Sequence, residues 1–121
     1  MSASSFVTLS DERVKTSIVI ADLNECERLV KAISPKAYER TDCTSGRKLG
    51  YVVQDWLAQV SNDLNGVVTE YEDIPDEDPS HNRTLYAIDM LPIVATLHGA
   101  LKVALNKIEL LEQRVAVLEG A

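Results

Sequence analysis

Val94-Ala-Thr-Leu-His-Gly-Ala-Leu-Lys-Val-Ala-Leu-Asn-Lys-Ile-Glu-Leu-Leu-Glu-Gln-Arg-Val-Ala-Val-Leu118 decides the fold of this chain. Its apolar residues alternate at spacings of three and four. Val94, Leu101, Ile108 and Val115 fall on heptad position a, and Leu97, Ala104, Leu111 and Leu118 on position d. Such a seam, free of polar interruption over more than three heptads, predicts helices packed side by side. A single amphipathic helix packed on its own domain is the competing reading. The charges favour the first: Lys107 and Arg114 fall at g, Glu112 and Glu119 at e. In a parallel pair each g residue meets the e residue of the following heptad, so Lys107 faces Glu112 and Arg114 faces Glu119, both attractive. Such exposed pairs add little energy but favour the parallel arrangement. β-branched a residues with Leu at d lean toward dimers. Leu105 at e, with Val103 and Leu110 at c, widens the stripe in the way a trimer, or a helix touching its own head, would use. The pattern alone leaves the number of strands open.

Upstream of this stalk the signals are shorter. Phe6–Leu9 reads as a strand closed by Ser10-Asp11, and Val14–Ile20 carries an apolar kernel, Ile18-Val19-Ile20. Asp22 is a good N-cap for a helix whose apolar positions are Leu23, Cys26, Leu29, Val30 and Ile33, ended by Ser34-Pro35. Residues 35–41 and 49–53 read as strands around a turn at Ser45-Gly46, followed by a short helix at 54–60. Asn65-Gly66 is a turn, 67–71 a strand and 72–84 a loop, with helix from Leu85 onward and a bend at Pro92. Trp56 and Tyr51 are expected in the core. The expected architecture is α+β. An N-terminal segment (1–9) precedes a head of short strands and helices (10–84), which leads into a C-terminal helical stalk (85–121) forming a parallel coiled coil.

Composition narrows the function classes. The chain has 121 residues, 45% hydrophobic and 26% charged, with 5 Gly and 4 Pro, which excludes collagen-like and wholly disordered classes. Its net charge of -7 argues against a nucleic-acid partner. Six acids lie in residues 70–78, so acidity belongs to one segment rather than to the whole surface. No apolar run approaches the ~20 residues of a membrane span, and the N-terminus has no secretory pattern. Cys26 and Cys43 are too few for a disulfide framework or zinc site, so a reducing compartment is the default. The acidic run lacks the spacing and glycine of a calcium loop. His81 and His98 have no partner at ligand spacing, and no metal or cofactor is expected.

Four ordered motifs point further. Ser10-Asp11-Glu12-Arg13-Val14-Lys15, followed by Ile18, comes first, and Ile33-Ser-Pro35-Lys-Ala-Tyr38-Glu-Arg40 second. Gly50-Tyr51-Val-Val53-Gln-Asp55 follows, and then Tyr86 to Leu118 with Leu91 before Pro92. In this order they resemble the intramolecular chaperone domain that ends bacteriophage endosialidases and many tail spikes and fibres, and that also occurs in the myelin regulatory factor. The likeness runs from Ser10 almost to the end and departs at Val53, where the family favours Ala. The resemblance implies a homotrimer joined through the C-terminal helices, which holds tail-fibre or tail-spike chains in register while they fold. It places the protein in the virion tail, or in the host cytoplasm during assembly.

The resemblance also implies a self-cleavage dyad. Ser10 would be the nucleophile and Lys15 its base, attacking the Leu9–Ser10 bond through an acyl shift, with Asp11 and Arg13 bracing the turn between them. A lysine acts as base only when shielding lowers its pKa from about 10.4, so Lys15 should be shielded and near Ser10. Taken without the resemblance, Ser10 and Asp11 read as turn or cap residues and Lys15 as a solvated charge. With nine residues ahead of Ser10, an uncut chain acting in trans, or retained as a structural tail-fibre component, is the further expectation.

Overall fold

The computed structural model describes residues 10–42, 44, 46–60 and 66–120. The candidate strand Phe6–Leu9, Cys43 and the turn residues Ser45 and Asn65 lie outside them.

Asp22 caps the first helix, α1 (Leu23–Ala32), its carboxylate accepting from the Asn24 and Glu25 amides at 3.1 and 3.2 Å. The helix ends where Ile33 turns extended, two residues before Pro35. A two-stranded antiparallel sheet follows, β1 (Lys36–Tyr38) with β2 (Lys48–Gly50), in the register Lys36↔Gly50. Gly46, at φ +75°, takes the left-handed conformation that the turn between these strands requires. Helix α2 (Val53–Gln59) carries Trp56 inward. A second antiparallel pair, β3 (Val68–Asp73) and β4 (Arg83–Ile88), runs in register from Val68↔Ile88 to Asp73↔Arg83. The last helix, α3, spans Met90–Gly120, 31 residues and roughly 46 Å.

Three expectations need correction here. Helix was expected from Leu85, but Arg83–Ile88 is a strand, and α3 begins only after Asp89, whose carboxylate accepts from the Leu91 amide at 3.2 Å. Thr84, Tyr86 and Ile88 favour a pleated surface once β3 is there to pair with. Half of the acidic run is likewise strand, since β3 reaches Asp73, where Arg83 closes the ribbon with a 2.9 Å ion pair. No bend is needed at Pro92 to explain the sequence. It sits in the first turn of α3, where a helix has no use for the missing N–H.

The core is small. Leu29 of α1, Ile33 just after it, Trp56 of α2, Val67 ahead of β3 and Ile93 of α3 form one buried cluster, with Tyr51, Val60, Val68 and Ile88 packed on it. Tyr51 meets Trp56 edge-on, ring centroids 5.5 Å apart. Cys26 and Val103 extend the buried surface along the contact between α1 and α3. There the backbones approach closely because position 99 is glycine: a Cβ would lie 2.6 Å from the Cys26 sulfur. Polar clasps join the elements around the core. Arg28 reaches from α1 to the Gln59 carbonyl and side chain at 2.7 and 3.1 Å, Lys36 pairs with Asp55 at 2.8 Å, and Lys107 pairs with Glu27 at 2.6 Å.

Candidate functional sites: the serine–lysine turn and the open seam

Six residues build the turn at the start of the head. The Asp11 carboxylate accepts from the Arg13 amide at 2.8 Å, which starts a 3-10 turn over Glu12–Val14. Val14 and Lys15 then return their amides to the carbonyls of Asp11 and Glu12, both at 3.1 Å. The Arg13 guanidinium closes on the same carboxylate at 2.7 and 3.0 Å and holds the Asp11 carboxyl below the usual range, with the Arg13 amide adding to the effect. This short reversal brings Lys15 Nζ within 2.6 Å of Ser10 Oγ. Five residues apart on a straight strand they would not meet. Asp11 and Arg13, paired with each other, hold the turn that brings Ser10 and Lys15 together.

Proximity is present, shielding is not. Ser10 and Lys15 are both exposed within the single chain, and Leu9, on the other side of the bond a cleavage would break, is outside the described residues. The amine donates to the hydroxyl here. For Lys15 to accept the Ser10 proton instead, its charge must first be lost, which burial by a further surface would promote.

Beyond this turn the chain to α1 is exposed and takes no regular secondary structure. Val14, Ile18, Val19 and Ile20 are all exposed, and Ser17 adopts φ +54°, uncommon for a residue other than glycine. The apolar kernel read from the sequence is thus not part of the core of the single chain.

The second candidate site is the face of α3. The head covers Ile93, Thr96, Gly99 and Val103, at heptad positions g, c, f and c, and leaves the seam alone. Val94, Leu97, Leu101, Ala104, Ile108, Leu111, Val115 and Leu118 are all exposed, the large ones among them between 42% and 76%. One helix therefore carries two apolar faces. That width separates the readings weighed from sequence: Val103 belongs to the head, while Leu105 and Leu110 do not. Lys107 differs from expectation in one respect, its amine being already paired with Glu27 of its own head. The same contact holds the Glu27 carboxyl below its ordinary range.

Sequence reasoning missed Glu27, Arg28 and Gly99, whose roles depend on which helices cross. Two further groups suggest no chemistry. Burial pushes the Cys26 thiol up, which makes it a poor nucleophile. His81 lies between the carboxylates of Asp76 (2.7 Å) and Asp78 (3.6 Å) in an exposed loop, and no cluster fit for a metal ion occurs among the described residues. Nor is any described helix long and apolar enough to cross a membrane. Comparison with known protein families, and with curated proteins, found no match to this chain.

Proposed function

We propose that the protein is a parallel trimerisation module of the intramolecular-chaperone type, aligning or capping the chains of a bacteriophage tail fibre or spike. The observation that carries the oligomer is the exposed a/d face of α3, set apart from the face that packs on the head. Exposed apolar area on this scale is unusual for a soluble monomer and calls for a partner. The unbroken heptad repeat, with opposite charges at g and e, fits a second copy of the same helix.

The class of protein rests on the ordered motifs, and contacts between motif residues support it. Tyr38 of the second motif lies against Gly50 of the third: a Cβ on Gly50 would fall 2.8 Å from the Tyr38 hydroxyl and 3.0 Å from its ring. Ser10 and Lys15 of the first touch directly. A trimeric clamp suits fibre chains because non-local β pairings are slow to register, and their exposed edges aggregate meanwhile.

Sedimentation of the full chain at micromolar concentration tests the assembly: a mass of three chains is expected, and a mass of one ends this reading. Co-expression with a fibre subunit tests the role: soluble fibre should form only when this protein is present. The second reading, an uncut structural component of the tail, is favoured by the open setting of Ser10 and Lys15. Intact mass decides about the cut. Loss of residues 1–9 that is abolished by Ser10→Ala assigns Ser10 as nucleophile, whereas loss that persists in that variant removes the assignment.

A further inference from the structure

Leu105 is explained by neither the head nor the a/d seam, yet its heptad position turns it toward a neighbouring helix. It lies at position e, is 55% exposed, and faces away from the c, f and g positions that the head occupies. Its counterpart across a parallel interface follows from heptad geometry, in which each g residue meets the e residue of the next heptad on the neighbouring helix. Ala100 therefore meets Leu105, as Lys107 meets Glu112.

Ala100 has unusual surroundings. It is half-buried, because α1 runs past it: Leu23 and Cys26 pack at Gly99, and Glu27 reaches Lys107. One turn along α1 from Glu27 stands Val30, an apolar residue left 37% exposed. A small residue on α3 beside a second helix makes a notch, and a large apolar residue stands opposite it. We infer that Leu105 of each copy seats in the notch between α3 and α1 of its neighbour, against Ala100, the Lys107 stem, Glu27 and Val30. The head thereby becomes part of the interface instead of hanging beside it. Charge complementarity marks the occupant as another copy of this chain. The Lys107 side chain remains 57% exposed after pairing with Glu27, leaving it open to a second carboxylate, that of the neighbour's Glu112.

This inference rests on the parallel oligomer proposed above, and Leu110 provides the control that separates the two. It is also 55% exposed but sits at position c, turned away from both neighbours. In the full chain, Leu105→Glu should raise the concentration for half-dissociation roughly tenfold or more, with Leu110→Glu leaving it unchanged. A photo-crosslinking phenylalanine analogue at position 105, in a mixture of isotopically light and heavy chains, should join residues 27–31 of a different chain. Equal effects of the two substitutions, or crosslinks only elsewhere in an intact oligomer, would overturn the notch and leave the oligomer standing. A single-chain mass for the unaltered protein would remove both.

Discussion

Gly99 is where one atom decides how closely two helices approach. Adding a methyl there places carbon 2.6 Å from the Cys26 sulfur and 2.9 Å from its Cβ, so α1 must move off α3. Alanine is the better helix former by up to ~1 kcal/mol, while overpacking costs about 1–3 kcal/mol. Gly99→Ala is expected to destabilise the head by roughly 1–2 kcal/mol in urea unfolding, and Gly99→Val by more. Unchanged stability would mean that the crossing is looser than described. Glu27 makes a pH-dependent contribution at the same crossing. Its carboxyl titrates lower folded than unfolded because Lys107 holds the charged form. The stabilisation is therefore complete above the ordinary glutamate range, about 4.3, and fades as pH falls through the lowered folded value. Glu27→Gln should flatten the acid limb of the stability profile by lowering stability slightly at neutral pH and hardly at all at low pH, the loss being small because Lys107 is more than half exposed.

At the scale of elements, α3 divides in two. Its first half is held by the head as far as Val103 and Lys107, and the remainder projects with no described contact to the head. A projecting helix of some thirteen residues is marginal by itself in water, so its helicity should depend on association. Replacing Ile108 and Leu111 together by Asp tests this directly. Both are half-exposed in the single chain, so the head should tolerate the change. In the proposed oligomer the same charges would be buried and unpaired at a cost of several kcal/mol. The expected result is a single-chain mass with helix content reduced by about the length of the projecting half, read by sedimentation and circular dichroism. An unaffected mass would contradict the register. The β3–β4 ribbon carries the opposite lesson. Its strands have little to bury, and pairing between residues 68 and 88, far apart in the chain, holds them. Periodicity along one segment does not reveal such pairing.

For the molecule as a whole, the balance of buried and exposed apolar surface is the governing fact. Seven hydrophobic residues are buried among those described, fewer than the large hydrophobics left exposed on α3 alone. A core this small supplies limited stability to an isolated chain. The proposed assembly would add to it by mass action, so the thermal midpoint should rise with protein concentration over a hundredfold range. A midpoint independent of concentration would mean that the folded chain stands alone.

The sequence by itself determined what depends on neighbours along the chain: the Asp22-capped helix, the stop before Pro35, the inward Trp56 and the heptad seam of α3. It also singled out Ser10 and Lys15, through a motif. Tertiary structure decided which groups far apart in the chain meet. It made Arg83–Ile88 a strand, gave Lys107 to Glu27, set α1 against Gly99, and left Ile18–Ile20 outside the core. The physical reason is one of range. Caps, breaks and helical periodicity are fixed within a turn or two of backbone. Pairing of distant strands and the choice of face at a helix crossing depend on surfaces that come together only when the chain folds.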